Sequence, residues 1–125
     1  MSFDWSEYLN VAKELAGGAT TPANQEAKFR AAISRAYYAA FITARNHLRD
    51  KEGISIPKTS DAHRYVSYQF ELSSDLIRKS VAKKLAQLRG FRNQADYVDK
   101  FPGLSGITII ALDLSEEVIS ILSNL

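Results

Sequence analysis

The chain of 125 residues contains no cysteine. Disulfides and thiol chemistry are therefore excluded, and the lack suits a reducing compartment. Its two histidines, His47 and His63, lie far apart on different segments. A metal site needs a cluster of ligands, so neither a metal nor any other cofactor is expected. No apolar run approaches the ~20 residues that span a bilayer. The start, Met1-Ser2-Phe3-Asp4-Trp5, has neither the basic opening nor the apolar stretch of a signal peptide. A cytoplasmic protein without a membrane role is expected. Repeats, heptads, low-complexity blocks and a glycine-rich phosphate loop are also missing, and Gly103-Leu104-Ser105-Gly106 has the wrong spacing for a nucleophile elbow.

What is present is ordinary for one globular domain: 46% apolar and 24% charged residues, enough to bury roughly two-thirds of the surface. The net charge of +2 says little about partners, but its distribution says more. From Arg78 to Arg92 there are six basic residues and no acid, whereas from Phe101 onward the only charges are Asp113, Glu116 and Glu117. A basic helix facing an acidic tail suits nucleic acid, an acidic protein, or no partner at all. It lacks the short helix-turn partner of a major-groove reader, and its lysines by default form a solvated face.

Hydrophobic spacing predicts four main helices and a short one. Ser2 or Asp4 caps the first, in which Trp5, Tyr8, Leu9, Ala12, Leu15 and Ala16 recur before Gly17-Gly18 ends it. Ala19 to Asn24, with Pro22, reads as a loop. The second helix runs from about Gln25 to Arg49. Phe29, Ile33, Ala36, Tyr37, Ala40, Phe41, Ala44 and Leu48 form its apolar stripe, and the alanines invite a close neighbour. Its far side carries Tyr38 and Ile42 among Arg35, Arg45 and Arg49, which reads either as a second contact surface or as scattered surface apolars. Ser60 or Asp61 caps a short third helix through Leu72, with His63 exposed in its first turn. His47, by contrast, packs at the edge of the second helix's stripe. The fourth helix spans about Asp75 to Tyr97. The last starts near Leu104, with a stripe of Ile107, Ile110, Leu114, Val118, Ile121 and Leu125. It is apolar on more than one side, so its second face is expected to meet another chain. The fold class is all-α, an antiparallel four-to-five-helix bundle forming a single domain over residues 1–125.

One stretch of the fourth helix breaks the pattern. Ile77, Val81, Leu85, Leu88 and Ala95 share a face, Phe91 stands at its edge, and Arg92 falls inside the same arc. A buried charge costs several kcal/mol unless paired. Asp96 follows at i+4, but such a pair is worth only a few tenths of a kcal/mol, less in the Arg-before-Asp order. Arg92 therefore snorkels to water, forms a structural ion pair, or lines a polar groove or subunit interface.

Two stretches together resemble a known family. Ser34-Arg35-Ala36-Tyr37-Tyr38-Ala39-Ala40-Phe41 resembles the second-helix signature of the HEPN domain family, and Leu88-Arg89-Gly90-Phe91-Arg92-Asn93-Gln94-Ala95-Asp96-Tyr97 resembles its later motif in the branch ending Ala-Asp-Tyr. The resemblance covers nearly the whole chain. It implies a small helical bundle that dimerises, in many relatives a metal-independent ribonuclease of toxin–antitoxin or defence systems, often paired with a minimal nucleotidyltransferase. It also implies a motif of an arginine followed, four to six residues later, by a histidine. Arg92 matches the arginine and Asn93 the polar residue after it, but Tyr97 stands where the closest spacing puts the histidine. Histidine titrates near pH 6.5 and tyrosine near 10, so the phosphate-clamping half of the motif is kept and the proton-transfer half is altered.

Three readings follow. The first is a homodimeric HEPN module that binds RNA, a nucleotide or a partner protein, with Arg89, Arg92, Asn93, Lys83 and Lys84 as the binding residues. The second is a ribonuclease or toxin whose catalytic candidates are Arg92, Tyr97 and Asp96. The third is a structural scaffold with Arg92–Asp96 as an internal ion pair.

Overall fold

The computed structural model describes residues 3–17 and 22–125. It contains five helices: α1 (Glu7–Gly17), α2 (Pro22–Asp50), α3 (Ala62–Glu71), α4 (Leu76–Tyr97) and α5 (Leu104–Ser123), with no strand among the described residues. The expected all-α bundle is what forms.

The helix starts follow local chemistry. At α1, Asp4 Oδ1 accepts from the Ser6 amide at 3.0 Å; Ser2, the other capping candidate, and Gly18 lie outside the described residues. At α4, Asp75 Oδ1 accepts from the Ile77 amide at 3.0 Å, which satisfies one of the four orphan donors of a helix start. At α3, Asp61 precedes the helix without a side-chain cap; only its carbonyl bonds to the helix, accepting from the Tyr65 amide at 2.9 Å. α2 already begins at Pro22, inside the stretch from Ala19 to Asn24 that was expected to be a loop. Proline is suited to the first helical position, where its missing N–H has no partner to lose. Ala19 to Thr21 lie outside the described residues.

α2 is the axis of the bundle, with α1, α5 and α4 packed along it and α3 seated mainly against α4. Ala32, Ala36, Ala39, Ala40 and Ala44 of α2 are fully buried. The close approach they permit is visible at α5, where Ser115 Oγ donates to the Ala36 carbonyl at 2.7 Å. This changes the inner face of α5. Thr108, Ala111, Ser115, Val118 and Leu122 are its buried residues, whereas Ile110 and Leu125 of the expected stripe are exposed. Against an alanine seam, small side chains fit and isoleucines are displaced to the flanks.

Two further expectations are corrected. Ile42 is buried, so the far side of α2 is not a free contact surface. Ile77 is 56% exposed, because the first turn of α4 projects past its neighbours, and the buried face begins at Val81. His47 is packed as expected. Its Nε2 meets Glu52 Oε2 at 2.9 Å, and Arg78 of α4 reaches the same carboxylate at 2.7 Å. Burial pushes the Glu52 carboxyl up, but the Arg78 hydrogen bond and charge, with His47, hold it below the usual range. None of the described helices is long and apolar enough to cross a membrane.

Candidate functional site: a cationic cleft between three helices

Arg92 is held from several sides. Its Nε lies 2.9 Å from Asp96 Oδ2, and its side chain is 17% exposed. That contact has the geometry of an ion pair and not of an aligned hydrogen bond, since Nε is buried without one. One terminal nitrogen donates to the Tyr38 hydroxyl at 2.8 Å and lies 3.5 Å from the Tyr97 hydroxyl, while the other reaches Asn93 Oδ1 at 3.2 Å. The guanidinium also lies over the rings of Tyr38 and Tyr97, at 5.1 and 5.4 Å from their centroids. Ser34 Oγ donates to Asp96 at 3.3 Å. The arginine therefore does not snorkel freely, because internal partners hold it.

The open cations stand one turn away. Arg89 and Asn93 of α4 and Arg64, Tyr68 and His63 of α3 line a cavity of about 690 Å³, with Tyr37 and Phe41 at its base. A second cavity of about 580 Å³ is lined by Arg45, Arg49, Lys58, Ser55 and Thr59. Phe41 and His63 line both, so the two meet there. Among the described residues, Arg64, Arg89 and Lys58 make no ion pair, whereas Arg49 is taken by Asp50 at 2.8 Å. Glu71 is the sole carboxylate on either wall.

His63 is the residue that the sequence reading misplaced. It is half-buried, not exposed, because α3 leans its first turn onto α2. Its ring stacks on Phe41 at 4.3 Å and on Tyr37 at 5.6 Å, and meets Tyr38 edge-on at 6.0 Å. The Tyr37 hydroxyl is hydrogen-bonded to its Nδ1. Burial, then the charges of Arg89 and Arg92, hold the imidazole below its usual pKa. Burial pushes the Tyr37 phenol well above its usual value despite the same two arginines. At neutral pH both groups are uncharged.

Other sequence candidates fall elsewhere. Tyr97 is 72% exposed at the end of α4 and touches the site only through Arg92. Lys84 lies 3.7 Å from Glu117 of α5, on another face, and Lys83 is exposed outside both cavities. Arg89, Arg92, Asn93 and Asp96 do come together. Residues 30, 37, 63, 64 and 68 were missed, although Arg64 and Tyr68, at i and i+4 on a short helix, carried a readable signal. No group of His, Asp or Glu among the described residues could hold a metal ion.

A five-helix bundle with an arginine–aspartate pair on α4 facing an aromatic second helix defines the class. The HEPN domain family matches residues 6–125, and the chain belongs to it. An uncharacterized protein of Methanocaldococcus jannaschii is 28% identical over 131 residues, covering 94% of this chain and 72% of that protein. No solved structure matches the chain.

Proposed function

We propose that this HEPN protein binds single-stranded RNA in the cleft between α2, α3 and α4. The observation that carries this reading is the convergence of Arg64, Arg89 and Lys58, none ion-paired among the described residues, on walls with one carboxylate. Unpaired cations there repel one another; the phosphates of a bound strand offset that repulsion, and release of the strand's counterions adds to the affinity. Tyr68, 52% exposed on the rim, offers a face for a base to stack on, and Asn93 offers both a donor and an acceptor.

Fluorescence anisotropy with a labelled octauridylate, in EDTA, tests it. Affinity should fall with salt, by roughly 0.7 log units per tenfold salt for each phosphate contact. Arg89→Ala should weaken binding about tenfold and flatten the slope, whereas Lys83→Ala, outside the cleft, should leave both unchanged. Salt-independent binding, or equal loss in the two variants, would reject the cleft.

The same proposal includes assembly as a homodimer, supported by Ile109 and Ile110, 62% and 46% exposed on α5. Light scattering giving a strict monomer would remove that part. The toxin–antitoxin setting that family membership suggests, with a nucleotidyltransferase partner, belongs to the proposal as well. Co-purification with the product of the neighbouring gene tests it.

A further inference from the structure

We infer that His63 is a phosphate-binding donor fixed in one tautomer: its Nε2–H contacts a non-bridging oxygen of the RNA strand where the two cavities meet. The inference deepens the RNA-binding reading and rests on it. Its first premise is the surroundings of Tyr37. That residue is 1% exposed, and Nδ1 of His63 is the one hydrogen-bond partner of its hydroxyl among the described residues. A buried hydroxyl proton needs an acceptor. Were Nδ1 protonated, the phenol hydrogen would have no acceptor among the described residues. The phenol therefore donates, Nδ1 accepts, and the single proton of the neutral ring resides on Nε2.

The second premise is orientation. Stacking on Phe41 and Tyr37, with Tyr38 edge-on, clamps the ring plane. A ring flip would keep the stack but carry Nδ1 away from Tyr37 and leave the phenol without its partner. Nε2, on the opposite side of the ring from Nδ1, has no protein partner among the described residues. Arg64 and Arg89 stand to one side of the ring, Lys58 and Arg45 to the other. A strand of two or more phosphates crossing from one cavity to the other passes the imidazole.

The chemistry then follows from the tautomer. Nε2–H has no lone pair to take a proton from a ribose 2′-hydroxyl, and the nitrogen that has one is occupied by Tyr37. His63 thus holds RNA and does not begin its cleavage. The charged and titratable groups around the ring are Tyr37, Tyr38 and Arg45 from α2, Arg64 of its own helix, Arg89 and Arg92 from α4, and Lys58 from the preceding loop. Glu71 is the one carboxylate on the shared cavity walls; the charges acting most on the ring, Arg89 and Arg92, are positive, so protonation of the ring is favoured only once a phosphate is present.

Two measurements test the inference on the full chain. Long-range proton–nitrogen NMR without RNA at pH 7.5 should show Nε2 protonated and Nδ1 bare. The reverse tautomer overturns the inference whatever the RNA does. Octauridylate binding should weaken about tenfold in His63→Ala, the worth of one hydrogen bond to a charged group. His63→Gln, whose amide can donate from a similar position, should recover most of it. Unchanged affinity in both variants, with folding verified by circular dichroism, overturns the contact. So does His63-dependent cleavage of the oligomer to products with a 2′,3′-cyclic phosphate. If the wild type shows the expected tautomer but binds no RNA, the RNA-binding reading falls and takes the phosphate contact with it, leaving only the tautomer.

Discussion

Arg30, in the first third of α2, closes the end of α4 by donating to the carbonyl of Val98 at 2.7 Å. The same guanidinium reaches the carbonyls of Ala95 at 3.0 Å and Asp99 at 2.8 Å. A helix end leaves its last carbonyls without partners, and the cation also suits the negative end of the helix dipole. One side chain therefore secures the turn that carries Asp96 and Tyr97. Arg30→Ala should cost about 2 kcal/mol, since hydrogen bonds to a charged donor exceed the neutral average. Urea unfolding measures this, and a loss below ~0.5 kcal/mol would show that water replaces the guanidinium without penalty.

Arg92 should matter more to stability than to binding. Its partners are Asp96, Tyr38 and Asn93, all within the protein. Arg92→Ala strands a partly covered carboxylate, at about 1–2 kcal/mol after allowance for its exposure. Octauridylate affinity in the folded variant should drop less than in Arg89→Ala. A larger drop would place the ligand on Arg92 instead.

The low pKa of His63 sets a direction for acid sensitivity. Its folded-state value lies below the ordinary 6.5. The unfolded chain therefore binds the proton more readily, and the contribution is fully present above about pH 6.5. It is lost as the pH falls through the depressed value. Thermal melts from pH 8 to pH 5 should show the midpoint falling in this range, and His63→Gln should flatten the decline. An equal decline in the variant would assign the effect to other groups.

Gly90 separates stability from binding. It lies within α4 on the cleft wall, and a Cβ placed there would meet nothing within 4 Å. Gly90→Ala should stabilise the helix by about 0.5–1 kcal/mol. The added methyl protrudes into the space proposed for RNA, so affinity should fall several-fold while the melting midpoint rises. Both quantities rising together would place the RNA elsewhere.

Local chemistry was legible in the sequence, and long-range chemistry was not. The start of α4 at Asp75, the Arg92–Asp96 pair and the alanine face of α2 could be read because each depends on residues within one or two turns. The burial of Arg92 was legible as well, because one charge in an apolar arc stands out. His63 was misplaced because its environment is made by Tyr37 and Phe41, across a loop whose path the sequence does not specify. Arg30 looked like any basic residue on α2, since the carbonyls it serves lie more than sixty positions along the chain. Tyr97 was weighted by the family motif, and it stands largely exposed at a helix end with the Arg92 guanidinium over its ring.

The alanine seam along α2 has a mechanical consequence. It binds α5 backbone-close through Ser115, so that side of the bundle has little play. α3 touches α2 sparingly and is tied to it at the cleft by the pairing of Tyr37 with His63. Because α3 rests mainly on α4, its hold on α2 at the cleft passes through one imidazole, by the stack of His63 on Phe41 and Tyr37 and its bond to the Tyr37 hydroxyl.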